Sequence, residues 1–129
     1  MTSTSVEQLL ADARHRIDRV TPEELGCWRV AGALVIDIRP ERQRAEEGEF
    51  DHAIVVERNV LEWRFDLRGE HALADIDGYG QPVVVACSEG YASSFAAASL
   101  RALGFTRVAD LTGGYRAWRS WRERTAVQT

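Results

Sequence analysis

The residue types best suited to chemistry lie together in Val83-Val84-Val85-Ala86-Cys87-Ser88-Glu89-Gly90-Tyr91-Ala92-Ser93-Ser94. A β-branched apolar run ends on a cysteine, a glycine-bearing loop follows, and an alanine-rich helix begins. That layout sets one thiol at the carboxyl end of a strand and the amino end of a helix, where free backbone N–H groups and the helix dipole favour negative charge. The thiolate is the nucleophilic form of cysteine. Cys87 therefore reads as a nucleophile on an anion-favouring platform. Gly90 frees the loop to take a positive φ, and several loop N–H groups can then converge on the sulfur. Ser93 is expected to cap the helix.

The second thiol lies sixty residues earlier, in Glu24-Leu25-Gly26-Cys27-Trp28. Free cysteines are commonly buried packing residues, and Cys27 is expected to be one. Neither cysteine has another Cys or His at ligand spacing, so no metal site and no disulfide framework is expected.

Around the thiol, strands and helices alternate. Ser3, Thr4 and Ser5 offer caps for a helix extending over residues 5–19 through Val6, Leu9, Leu10, Ala13 and Ile17. Thr21-Pro22-Glu23-Glu24 has capping-box form and starts a second, short helix. Ala33 to Ile38 reads as a buried strand, Glu41 to Glu47 as a polar helix stopped by Gly48, and Ala53 to Val56 as a strand. Asn59 is placed to cap a short helix through Leu61, Trp63 and Phe65, and residues 68–82 read mostly as loop. Val83 to Ala86 forms the central strand, Tyr91 to Leu103 a helix ended by Gly104, Arg107 to Ala109 a strand, and Gly114 to Trp121 a last helix. The order implies an α/β domain: a mostly parallel central β-sheet flanked by helices on both faces, with ligands beyond the carboxyl ends of the strands. A single domain over residues 1–129 is expected, with a helical N-terminal segment of about 5–27 and a core of about 30–121.

Composition narrows the function. Apolar residues make up 45% and charged residues 28%, ordinary for a globular chain. All 16 basic residues are arginine, so Schiff-base chemistry on lysine is excluded. A net charge of −4 without a basic tract argues against nucleic acid or anionic membrane as partner. No apolar stretch has the length of a membrane span or the form of a signal peptide, and a cytoplasmic location is expected.

Four separated segments carry a resemblance to the rhodanese-like domain family. Val35-Ile36-Asp37-Ile38-Arg39 resembles its Asp-x-Arg strand end. Gly48 to Ile54 is similar to its Gly-His-Ile-Pro-Gly-Ala-Ile segment, with His52 in place of a glycine. Cys87 to Ser93 resembles its Cys-x-x-Gly-x-Arg-Ser loop, and Leu111-Thr112-Gly113-Gly114-Tyr115-Arg116-Ala117-Trp118 its Leu-x-Gly-Gly-x-x-x-Trp ending. The resemblance implies a sulfurtransferase that carries sulfane sulfur as a persulfide on Cys87 and passes it to a thiophilic acceptor, cyanide or a thiol. It implies a binding loop of Ser88, Glu89, Gly90, Tyr91, Ala92 and Ser93, structural support from Asp37 and Arg39, and no metal or organic cofactor. The partners implied are a small-molecule or protein-borne sulfur donor and an acceptor.

Two residues depart from the family pattern. Ala92 stands where the family has an arginine, and Glu89 adds a negative charge that disfavours an anionic donor. Thiosulfate is thus expected to be a weak donor. Arg58, just past the second strand, is a candidate anion contact. The alternative is a binding or regulatory module that keeps the fold without catalysis. A phosphatase or arsenate reductase would need an anion-gripping arginine, and the sixth position after the cysteine is Ser93. Oligomeric state is not legible in the sequence.

Overall fold

The computed structural model describes residues 2–127. In chain order the elements are α1 (Val6–Arg14), β1 (Asp18–Val20), α2 (Pro22–Val30), β2 (Leu34–Asp37), α3 (Glu41–Glu47), β3 (Ile54–Val55), α4 (Leu61–Phe65), β4 (Val83–Ala86), α5 (Ala92–Leu103), β5 (Val108–Leu111) and α6 (Gly114–Val127). A 3-10 turn, Arg58–Val60, leads into α4. The five strands form one sheet in the order β1-β5-β4-β2-β3, every pairing parallel. The expected α/β architecture is the observed one. No helix among the described residues is long and apolar enough to cross a membrane.

The central strand β4 explains the continuous apolar run. Its alternate residues feed two cores, because helices cover both faces of a parallel sheet. Val83 and Val85 pack with Ile36, Leu61, Phe65, Ala96, Ala97 and Leu100, under α4 and α5. Val84 and Ala86 pack with Leu25, Val35, Phe50, Leu111, Tyr115 and Trp118, under α2 and α6. Each large side chain fully buried in this way contributes about 1.5–3 kcal/mol of hydrophobic free energy. Phe50 meets the rings of both Tyr115 and Trp118, so the last helix is anchored on aromatic contacts.

The amino-terminal region differs from its sequence reading. The helix expected over residues 5–19 ends at Arg14, and Asp18–Val20 forms β1. Ile17, the last member of the apolar periodicity, packs on the α5-side core from outside the helix. β1 pairs in register with β5, Arg19 beside Asp110 and Val20 beside Leu111. Ser5 caps α1 by accepting from the Gln8 N–H, and Thr21 and Glu24 form the expected capping box of α2. Asn59 does not cap α4; the residue at that boundary is Val60, which has no side-chain cap bond. The last helix runs on to Val127, beyond the expected Trp121, and β5 spans Val108–Leu111 instead of 107–109.

Candidate active site

The carboxyl ends of the strands meet at the loop between β4 and α5. Cys87 directly follows β4, is buried, and receives two backbone donors: the Gly90 N–H at 3.1 Å and the Ser93 N–H at 3.4 Å from Sγ. The curl that aims them depends on Gly90 at φ 88°, where a Cβ would stand 2.7 Å from the Gly113 nitrogen. Gly114 permits a second close approach, since its Cβ would lie 2.5 Å from the Cys87 carbonyl oxygen. Across that contact the first turn of α6 grips the loop: the Tyr115 N–H donates to the Cys87 carbonyl at 2.7 Å and the Arg116 N–H to the Ser88 carbonyl at 3.1 Å. The helix α5 begins at Ala92, so its amino terminus faces the sulfur, as anion binding requires.

Ser93 has a different role from the expected cap. The cap position of α5 falls on Tyr91, which makes no side-chain cap bond. Ser93 is fully buried on the second helical residue; its Oγ lies 3.3 Å from Cys87 Sγ and donates to Asp110 Oδ2 at 2.9 Å. Ser94 Oγ donates to the same carboxylate oxygen at 2.7 Å, and Arg19 closes the ion pair through Nε at 2.9 Å from Oδ1. Arg19 also donates to the Gly90 carbonyl at 3.0 Å, and Arg14 donates to it at 2.9 Å while reaching Ser94 Oγ with its Nε at 3.0 Å. Two guanidiniums from α1 and β1 thus brace the sulfur loop from behind. Sequence reasoning missed Arg14, Arg19, Ser94 and Asp110. The available signal was a lone carboxylate in the apolar run Val108-Ala109-Asp110-Leu111, which must find donors when buried.

The other loop residues point elsewhere. Ser88 Oγ donates to Glu47 Oε1 at 2.9 Å, Glu89 and Ala92 are exposed, and Tyr91 is 60% exposed with the Arg14 guanidinium 5.6 Å from its ring centre. Asp37 and Arg39 are fully buried and form a bidentate pair, with Arg39 also donating to Glu47 and to the Gly48 carbonyl and stacking 3.9 Å from the centre of the Tyr115 ring. Arg39 thereby ties the end of β2 to α3 and α6. Burial would raise the Glu47 carboxyl, but bonds from Arg116, Ser88 and Arg39 outweigh it and hold the group below its ordinary value. Arg58 bonds both oxygens of Glu62, each at 3.0 Å, and lines a groove with Ile38, Pro40, Glu41, Glu57 and Asn59. His52 takes φ 62° without being glycine, at the place where the family segment has one. Cys27 is exposed, not the buried packing residue expected, because it lies on an outer position of α2.

The chain also resembles known proteins along most of its length. It is 37% identical over 103 residues to a thiosulfate sulfurtransferase, GlpE, of Pseudomonas fluorescens, covering 79% of this chain and 84% of the relative. The same-named protein of Stutzerimonas stutzeri is 34% identical over 101 residues, with 78% and 84% covered. Among solved structures, a Rhodopseudomonas palustris protein described as a possible tyrosine phosphatase superposes with a TM-score of 0.82 at 23% identity, covering 95% of this chain and 94% of that one. A human single-domain sulfurtransferase superposes at 0.64 and 22% identity, covering 79% and 95%. At those identities the superpositions speak to the fold alone. Residues 21–120 match the rhodanese-like domain, from the capping box of α2 to the middle of α6 and with the Cys87 loop inside the match; the chain belongs to the rhodanese-like domain family.

Proposed function

We propose that this protein is a sulfurtransferase that carries sulfane sulfur as a persulfide on Cys87. The observation that carries the reading is the pair of backbone N–H groups, from Gly90 and Ser93, aimed at a buried sulfur at the amino terminus of α5. The relatives named thiosulfate sulfurtransferase support the sulfurtransferase part of this reading. In the first half-reaction the Cys87 thiolate attacks the sulfane sulfur of the donor. The donor's S–S bond breaks, its electron pair leaves with the remnant (sulfite, when the donor is thiosulfate), and Cys87 holds a terminal sulfur anion. In the second, cyanide or an acceptor thiolate attacks that terminal sulfur and the electron pair returns to Cys87. No electrons enter or leave the cycle, so no metal or organic cofactor is required. The two half-reactions predict ping-pong kinetics.

Donor choice follows from the loop charges. Ala92 offers no guanidinium to an anionic donor, and Glu89 adds an exposed negative charge to the loop. A missing charge-assisted contact weakens thiosulfate binding by about 1.5–3 kcal/mol, or one to two orders of magnitude. A neutral or protein-borne persulfide suits this loop better than thiosulfate does.

Intact-protein mass spectrometry after incubation with thiosulfate, and separately with a low-molecular-weight persulfide, tests the reading. One added sulfur, removed by cyanide and absent from Cys87→Ser, is the expected result. No adduct from either donor would replace the enzyme by a binding module that keeps the fold.

A further inference from the structure

Ser93 has one hydroxyl proton and two neighbours that compete for it. Asp110, ion-paired with Arg19, accepts only, so in the thiol state Ser93 donates to Asp110 Oδ2 and receives the Cys87 S–H. Once Cys87 has lost its proton it too can only accept. Ser93 must then turn a lone pair toward an anion or swing its proton from the carboxylate to the sulfur. The swing leaves Asp110 well supplied, because Ser94 Oγ still donates to Oδ2 and Arg19 Nε to Oδ1. Ser94 is itself locked in that direction, since it accepts from Arg14 Nε.

We propose that Asp110 is a positioning residue for the sulfur chemistry: held by Arg19 and Ser94, it parks the Ser93 hydroxyl in the resting thiol and releases it to the Cys87 anion when that anion forms. No covalent bond changes in this step; the Ser93 O–H gives up its hydrogen bond to the Asp110 carboxylate and makes one to the sulfur. Asp110 thus acts on Cys87 through Ser93, and the anion gains a third donor beside the Gly90 and Ser93 N–H groups. The charged groups around the loop are Arg14 on α1, Arg19 on β1, Glu47 on α3, Glu89 in the loop, Asp110 on β5 and Arg116 on α6. Of these, Asp110 bonds directly to the hydroxyl that faces the sulfur. The inference deepens the sulfur-carrier reading but can be tested without a sulfur donor.

The test is the rate of Cys87 alkylation by iodoacetamide across a pH series, in the full chain with Cys27→Ser so that one thiol reports. Ser93→Ala should slow alkylation about tenfold at neutral pH, the loss of one hydrogen bond to a charged group. Asp110→Asn should quicken it severalfold, because the hydroxyl is no longer held by a carboxylate. In the Ser93→Ala background the gain from Asp110→Asn should shrink by more than half, which is the coupling that a route through Ser93 requires. Ser94→Ala, which does not touch the sulfur, should slow alkylation about twofold or more, since Asp110 then grips Ser93 harder. The rates of all variants should converge at alkaline pH. Equal effects of Asp110→Asn with and without the Ser93 hydroxyl would overturn the proposal and leave only its charge. An unchanged Ser94→Ala rate would overturn it too, and keeps the test decisive if Ser93→Ala fails to fold. Sulfur loading of the Cys27→Ser parent, measured separately, shows whether the carrier reading stands whatever the alkylation series gives.

Discussion

Replacing Gly114 with alanine should pull the sulfur loop away from its donors while leaving the chain folded. Gly114 sits at φ 67° on the first residue of α6. Its new Cβ would stand 2.5 Å from the Cys87 carbonyl oxygen, 2.5 Å from the Ser88 carbonyl carbon and 2.6 Å from the Glu89 nitrogen. All three are backbone atoms, so no flexible side chain can yield. Restoring ordinary contact means a retreat to at least 3.4 Å. That retreat breaks the bonds from the Tyr115 and Arg116 N–H groups to the loop carbonyls, at about 1 kcal/mol each. The left-handed backbone adds about 1–2 kcal/mol for a residue with a side chain. The total, about 3–4 kcal/mol, lowers the melting temperature by roughly 12–16 °C for a domain of this size. It remains below the 5–15 kcal/mol that usually holds a domain together. The assay pairs thermal unfolding with persulfide loading of Cys87, both on the folded protein at low temperature. Gly26→Ala is the control, because nothing lies within 4 Å of its Cβ and it sits inside α2. That change should raise stability by about 0.5–1 kcal/mol. A Gly114→Ala protein melting within about 3 °C of its parent and loading sulfur at the parent's rate would refute the reasoning.

Three further outcomes are expected. Arg39→Met leaves Asp37 buried without its cation and should cost about 3–5 kcal/mol in urea unfolding; a loss below about 1 kcal/mol would mean that the pair is dispensable. Glu47 has a folded-state pKa below its ordinary 4.5, so it contributes stability above about that pH and loses the contribution as pH falls through the folded value. Glu47→Gln should therefore flatten the fall in stability below pH 4.5, and a fall as steep as the parent's would show that the carboxylate is not coupled to folding. Ala92→Arg should raise sulfur loading from thiosulfate by about tenfold or more while loading from a neutral persulfide stays unchanged; equal changes with both donors would show that the new guanidinium does not read donor charge.

The parts of this fold that could be read in the sequence are those where one rule dominates. β4 declares itself because both its faces are covered, so every side chain is apolar. The capping box of α2 and the stop at Gly48 are local chemistry and need no tertiary knowledge. β1 was illegible for the opposite reason. Two of its three residues are charged, and its pairing partner lies some ninety positions later. Ile17 then misled, since its helical spacing from Ala13 is real but its burial comes from packing after the helix has ended. The thiol and its loop stood out as a strand–loop–helix pattern. The groups behind them did not, because Arg14, Arg19 and Asp110 converge only once β1 lies beside β5. Ser is a good cap, but the loop is tight enough that the helix starts two residues before a Ser93 cap would set it and sends that hydroxyl to Asp110.

The pairing of β1 with β5 also bears on how modular this domain is. The family resemblance begins at residue 21, yet Arg14 and Arg19 precede it and both hold the Gly90 carbonyl. A chain trimmed to the matched residues would leave β5 as a bare sheet edge, open to pairing with another chain. It would also strand Asp110 as a buried carboxylate without its cation. Grafting the matched region onto another protein would carry over the thiol and its loop but not their bracing. The unit that can be exchanged intact is larger than residues 21–120, and its border lies ahead of α1.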